Sequence, residues 1–240
     1  SNKKDYTKRG IVDNIYNLDD HDFEIIICSN NNYQDSRAIC LQDEVGQGSV
    51  SAFNKAYKHS SGDIIVICVD DHKIPQNIVK LPYFFMSDNI KKLKLKIANL
   101  THNLGGPGKL YYLKEEKKQL DFVWWDLNSV FSPSLKNIRP YNIYHFPAIL
   151  KESIEMYMDG VIFNESFKHH YCDAWLGFYE EKVNGLRDCK DIGPDDIWLE
   201  VITNINNSPC DVRYDNHDKK IMKKLIELSD NDIKYNMKVK

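Results

Sequence analysis

The stretch SSGDIIVICVDDHKIP, residues 60–75, is an apolar run that ends in two adjacent aspartates and a histidine. From Ile64 to Val69 every side chain is apolar. That is the pattern of a strand covered on both faces; a half-exposed strand would alternate. Just upstream, Ser49 to His59 reads as a helix, with Val50, Phe53, Ala56 and Tyr57 on one face and Ser49 as a candidate N-cap. Before it lie a glycine-bearing loop (DEVGQGS), a strand (RAICL, Arg37 to Leu41), a loop of turn formers (SNNNYQDS) and another strand (FEIIIC, Phe23 to Cys28). Between Tyr6 and Leu18, the residues Ile11, Val12, Ile15 and Leu18 recur at helical spacing. Strand alternating with helix predicts an α/β fold with a largely parallel sheet. In such sheets ligands bind beyond the carboxyl ends of the strands, and Asp70 and Asp71 stand at one of those ends.

Downstream the pattern loosens. IKKLKLKIANL fits either an edge strand or a short amphipathic helix. Gly105 to Gly108 (GGPG) fits a loop over a ligand or a plain hairpin turn, and Trp124 and Trp125 read as core. Asp218 to Leu228 reads as an amphipathic helix followed by a polar tail.

Composition narrows the function classes. The 240 residues are 28% charged and 42% hydrophobic, as in soluble globular proteins. The net charge of −3 gives no basic excess for nucleic acid. No apolar run approaches the roughly 18–20 residues that span a bilayer, and the opening SNKKDYTKRG has no apolar leader. Cys28, Cys40, Cys68, Cys172, Cys189 and Cys210 include no C-x-x-C pair, which argues against a zinc ribbon. A reducing, cytoplasmic setting is expected, with Cys28 and Cys68 acting as small core hydrophobes.

Two groups of residues could carry chemistry. Adjacent carboxylates at a strand end suit Mg²⁺ or Mn²⁺, which take oxygen ligands and keep room for substrate phosphates. The same residues also fit a solvated turn. Asp173, in HHYCDAWLG, fits a general base beside aromatic side chains or the N-cap of a helix. His169, His170 and His72 are lesser candidates for a base or a ligand.

Taken in order, these stretches resemble the family 2 glycosyltransferases. The matching segments are DFEIIICSN, then GQGSVSAFNKAYKHSSGDIIVICVDD, then MDGVIFNESFKHHYCDAWLGFYEEKVNG. The resemblance spans about residues 6–185. It implies a GT-A nucleotide-diphospho-sugar fold, with a mixed, mostly parallel central sheet flanked by helices. A single domain is expected over residues 1–240: a donor half to about 115, an acceptor half over about 116–200, and a C-terminal extension with a helix.

The implied activity is metal-dependent, inverting transfer of a sugar, as in a hexosyltransferase of surface polysaccharide assembly. Asp71 would hold Mn²⁺ or Mg²⁺ on the donor diphosphate, and Asp70 would face the ribose or sugar. Ser29, Asn30 and Gly48 would line the donor site. Asp173 would be the base, with His170 and Trp175 on the acceptor side. Asn54 and Gly62 match scaffold positions. The implied partners are a nucleoside diphosphate sugar, UDP-sugar first, and a saccharide, lipid-linked or protein acceptor. Peripheral contact at the inner face of a membrane is the alternative to a purely cytoplasmic setting.

Two departures carry weight. The family places aspartates after the second strand, where this chain has Ser29-Asn30-Asn31. The family also places an apolar strand in the middle of the sheet, ahead of the helix that contains Ile11 to Leu18. An empty slot there would weaken nucleotide binding. These departures sustain an alternative: a non-catalytic glycan- or partner-binding module that keeps the fold.

Overall fold

The computed structural model describes residues 11–16, 18, 22–44, 46–69, 72–102, 146–185, 197–201, 214–229 and 234–239. Its architecture is mixed α/β, with small sheets and several helices. After one helical turn, α1 (Asp13–Ile15), strands β1 (Ile26–Ser29) and β2 (Ile39–Gln42) pair in parallel. Helix α2 (Ser49–Lys58) leads into β3 (Ile64–Val66). Then come β4 (His72–Lys73), a 3₁₀ turn (Gln76–Lys80), α3 (Leu81–Phe85) and α4 (Asp88–Lys91). Strands β5 (Ile97–Asn99) and β6 (Thr101–His102) follow. The later elements are β7 (Pro147–Leu150), α5 (Lys151–Tyr157), α6 (Cys172–Asn184), β8 (Trp198–Val201) and α7 (Asp215–Leu228).

Of the two three-stranded sheets among the described residues, one has the order β4-β8-β6; the other has the order β3-β7-β5, and β7 runs antiparallel to both neighbours. Strands β3 and β5 therefore point the same way but are separated by a reversed strand. This corrects the largely parallel sheet expected from the sequence. Among the described strands, only β1–β2 and β6–β8 pair in parallel, while β4–β8 is antiparallel. Strict alternation of strand and helix forecasts parallel neighbours only when consecutive strands pair. Here β7 enters from about 80 residues downstream of β3.

This sheet divides two cores. Ile65, Ile67, Ile97 and Ile149 face one side, among Trp175, Phe163, Phe167 and Tyr235. Ile64, Val66, Ala98 and Ala148 face the other, with Leu81, Phe85, Ile90 and Leu100. Burial on both faces is the physical reason that β3 lacks polar alternation. The thiols fit this picture: burial pushes Cys68 up to about 12, and it also raises Cys172.

Among the described residues, the β1–β2 pair shares no ladder with this sheet. Bonds from Ile39 N–H to Ile25 O and from Asp43 N–H to Ser29 O put residues 25, 27 and 29 in the β2 ladder. Ile26 and Cys28 therefore turn their peptide groups to the opposite edge. By the same alternation, bonds at Asp63 and Ile67 turn those of Ile64 and Val66 away from β7. Among the described residues, no strand pairs with either of these edges. The two strand entrances are held by a side chain instead of a ladder. The Glu24 carboxylate accepts bonds from the Ser61 N–H, the Ser61 hydroxyl and the Gly62 N–H.

Two sequence expectations change near the chain's later part. IKKLKLKIANL divides between the end of α4 and the strand β5. The polar tail is not all solvated: Tyr235 is fully buried, and its hydroxyl donates to Ile162 O. Tyr235 is joined on the core by Met237 and Val239, and Asn164 Nδ2 donates to Tyr235 O and Met237 O.

Asn54 ties α2 to the segment that follows α5. Its Oδ1 accepts from Ile162 N–H (3.1 Å) and Phe163 N–H (3.0 Å), and its Nδ2 donates to Phe163 O (2.7 Å). The side chain is buried, so Asn54→Ala leaves three backbone groups without their partner. The expected loss is about 3 kcal/mol, read as a lower urea midpoint at unchanged m-value.

Candidate functional site

The site is assembled where the loop before α2 meets the turn before α6. Gly46 and Gly48 have φ of +89° and +86°, a region that only glycine adopts without strain. A Cβ on Gly48 would lie 2.1 Å from Lys168 O, so any side chain there would push the two segments apart. Val50 N–H donates to Lys168 O across the same contact. Ser49 was expected to cap α2. Instead Gly48 occupies the cap position, and the Ser49 hydroxyl is hydrogen-bonded to His169 Nδ1 at 2.7 Å. The lateral partner, 120 residues away in sequence, was invisible to local pattern.

The turn itself is organised by a residue that sequence reasoning missed. Asp218, in the first turn of α7, is fully buried. Its carboxylate accepts from three successive backbone N–H groups: Lys168 (2.9 Å), His169 (2.8 Å) and His170 (2.7 Å). His217 Nδ1 lies 2.8 Å from the same carboxylate. Converging backbone N–H groups form an anion-binding nest, and here its anion is supplied by the chain. The only sequence signal was an acid at a helix start, which reads equally well as a solvated first-turn residue. Tyr214 adds a further link, donating from its hydroxyl to Gly46 O at 2.8 Å.

Tyr171 follows at φ +61°, a left-handed conformation unusual for a bulky residue. Strained backbone of this kind persists only when its surroundings enforce it, and it gathers at functional sites. Two residues on, Asp173 lies half-buried in the first turn of α6, and its Oδ1 accepts from Ala174 N–H at 2.8 Å. His169 and His170 stack edge to face beside it, with ring centroids 4.6 Å apart.

The expected site residues thus separate into three groups. Gly48 and His170 belong to one neighbourhood, stitched together through Lys168, His169 and Asp218, and Asp173 follows His170 by three residues, in the first turn of α6. Ser29 and Asn30 end β1. Ser29 is buried with its hydroxyl on Asn31 Oδ1 at 2.5 Å, and Asn30 is exposed. Asp70 and Asp71 lie outside the described residues, as do Gly105 to Gly108, Trp124 and Trp125.

Trp175 is corrected. It is fully buried, stacked on Phe178, and its indole N–H donates to Tyr235 O at 3.0 Å. It is a core residue with no face open to an acceptor. His72 is also buried, edge-on to Phe146 with centroids 4.0 Å apart. Among the described residues, no three His, Cys, Asp or Glu side chains converge on a metal position.

The loop after β1 carries the clearest electrostatic signature. Arg37 reaches Asp35 and Asp13 at 3.0 and 2.9 Å. Hydrogen bonds from the Arg37 side chain and backbone hold the Asp35 carboxyl down at about 2, against an ordinary 3.8. A depressed carboxylate stabilises the fold above its ordinary pKa, and that contribution disappears as pH falls toward 2. An NMR titration should place the Asp35 midpoint near 2, and Arg37→Gln should return it to the ordinary carboxylate range.

Comparison of the chain with protein-family models, with curated proteins and with solved structures finds no match.

Proposed function

We propose that the chain is an inverting, metal-dependent glycosyltransferase of the GT-A type that uses a nucleoside diphosphate sugar. The observation that carries this reading is the contact of the Gly46–Ser49 loop with Lys168 and His169, in the turn that leads to Asp173. The resemblance assigns the first to the donor and the second to the acceptor. Transfer needs both within reach of one anomeric carbon. The strand pattern is compatible: among the described residues no strand pairs with the second edge of β1 or of β3.

In this reading Asp173 takes the proton from the acceptor hydroxyl. The acceptor oxygen bonds to the anomeric carbon as the bond from that carbon to the diphosphate oxygen breaks. A single displacement inverts the configuration. Asp71 would hold Mn²⁺ or Mg²⁺, and the cation's contribution is neutralisation of the leaving diphosphate. Such a cation takes one or two protein carboxylates and completes its shell with phosphates and water. The Asp70-Asp71 pair fits that demand without a three-residue cage.

The test is incubation with UDP-sugars, Mn²⁺ and a panel of saccharide acceptors, with the anomeric configuration read by proton NMR. An α-linked donor should give a β-linked product. Retention of configuration would overturn the single-displacement mechanism. A folded protein that binds saccharides but releases no nucleoside diphosphate would instead favour the non-catalytic module, which the Ser29-Asn30-Asn31 departure keeps in play.

A further inference from the structure

We infer that the cleft beside α2 binds an acidic sugar residue of the acceptor, gripping the anionic group of a uronic acid or a sugar phosphate. This rests on the transferase reading for the saccharide and goes beyond it in naming the charge. The cleft lies between α2 and residues 165–168 and has a volume of about 270 Å³. Ser51, Lys55 and Lys58 line it from α2 at steps of four and three, so they share one face of that helix. Glu165, Phe167 and Lys168 line it from the other side. Val50 also lines it, and Val50 N–H donates to Lys168 O. The cleft therefore abuts the contact between the glycine loop and the turn that leads to Asp173.

The walls are positive in a chain that is negative as a whole. Three lysines and one glutamate line the cleft, against a net charge of −3 for all 240 residues. The fold brings Lys168 to Lys55 and Lys58 from about 110 residues away in sequence. The Lys168 ammonium makes no hydrogen bond or ion pair among the described residues. Lys58 meets Glu165 at only 3.9 Å, with side chains 60% and 39% exposed, so solvent screens that pair. The Glu165 carboxylate is shared with Asn236 Nδ2, which donates to it at 3.3 Å. Lys55 donates to Gln42 O, a neutral partner that leaves its charge uncompensated. A cleft lined by one sign of charge concentrates the field inside it, and with the field the counter-ion.

The rest of the lining suits a sugar ring. Val50 and Phe167 are each 1% exposed and supply apolar surface. The Ser51 hydroxyl makes no hydrogen bond among the described residues, so it is available to a sugar hydroxyl. Asn54 is already committed to Ile162 and Phe163. At about 270 Å³ the cleft falls just below the roughly 300–1,000 Å³ of pockets for drug-sized ligands, which is room for one sugar residue and not for a nucleotide. Lysine offers a point charge, which receives a carboxylate and a phosphate alike.

The experiment follows the backbone amide resonances of Ser51 and Lys168 while the full chain is titrated with methyl glucuronide, glucose 6-phosphate, methyl glucoside or inorganic phosphate. The uronide or the sugar phosphate should move both resonances, and whichever binds tighter identifies the anionic group. The neutral glucoside should leave them in place, and binding of the acid should weaken as salt is raised. Lys168→Gln should weaken binding about fivefold and Lys58→Gln about twofold, because Lys58 already faces a carboxylate. Glu165→Gln should tighten it about twofold by removing the competing charge. A merely structural role for these side chains predicts no such opposition of sign.

Three results would overturn the inference: no response to either acidic sugar, equal binding of the neutral glucoside, or binding that ignores the lysine variants. Inorganic phosphate that binds as tightly as glucose 6-phosphate would also overturn it, by showing an anion site that does not read the sugar. The outcome is separable from that of the transferase reading. A chain that binds nucleoside diphosphate but no acidic sugar loses this cleft and keeps the reading. One that binds the acidic sugar but no nucleotide keeps the cleft, and the non-catalytic module then takes the place of the transferase.

Discussion

Asp173→Asn should lower sugar transfer by about 10²- to 10⁴-fold, the range that a general base contributes. The substitution is chosen because it changes little else. Asparagine can occupy the first turn of α6 and still accept the bond that Asp173 Oδ1 takes from Ala174 N–H. Unfolding temperature should therefore hold. Donor binding should also hold, because the proposed mechanism puts the acid on the acceptor side. A transfer rate that falls together with donor affinity would mean that Asp173 shapes the donor pocket. An unchanged rate would remove it from the chemistry and return it to the role of helix cap.

Asp218→Ala should destabilise the fold by about 3–5 kcal/mol, comparable to removing one partner of a buried ionic network. The carboxylate is fully buried and satisfies three backbone donors at Lys168, His169 and His170. Asp218→Asn keeps one oxygen for the nest and should recover about half of the loss.

The functional consequence separates this residue from a simple core anchor. The turn it organises holds His169 against Ser49 and leads through the left-handed Tyr171 into Asp173. The asparagine variant, still folded, should therefore lose transfer rate while retaining nucleotide affinity. If Asp218→Asn keeps full transfer at reduced stability, the nest is structural only.

The sequence was most readable where burial repeats at a fixed period. The continuous apolar run from Ile64 to Val69 forecast a strand covered on both faces, and β3 is flanked by two cores. The spacing of Val50 and Tyr57 forecast α2, and the acid-and-lysine-faced stretch ending at Leu228 forecast α7. What the sequence could not show depends on contacts between distant segments. Nothing local at Pro147 to Leu150 says that it will insert between β3 and β5 and reverse the sheet's direction there.

The candidate site divides along the same line. Asp173 stood out as an acid beside aromatic residues at a helix start, a pattern that fits a base and a helix cap alike, and it does lie in the first turn of α6. Ser49 was assigned to the nearest backbone, yet its partner is His169. Asp218 looked like one acid among lysines in DKKIMKK, and only the fold shows three N–H groups aimed at it. Trp175 looked like a sugar platform because aromatic side chains stack on sugars and in cores alike. Its neighbour Phe178 and the returning Tyr235 decide for the core.

The central claim is that this chain holds a nucleoside diphosphate through a divalent cation. The most direct measurement is the unfolding temperature against a panel of nucleoside diphosphates, with Mn²⁺ and with chelator. Ligand at about 100 times its dissociation constant adds about 2.7 kcal/mol of stability, a readily visible rise. The account predicts a rise with one nucleotide, uridine diphosphate first, that requires Mn²⁺ and vanishes in Asp71→Asn. A cooperatively unfolding protein that shows no shift with any nucleotide, or a shift indifferent to both metal and Asp71, would contradict it.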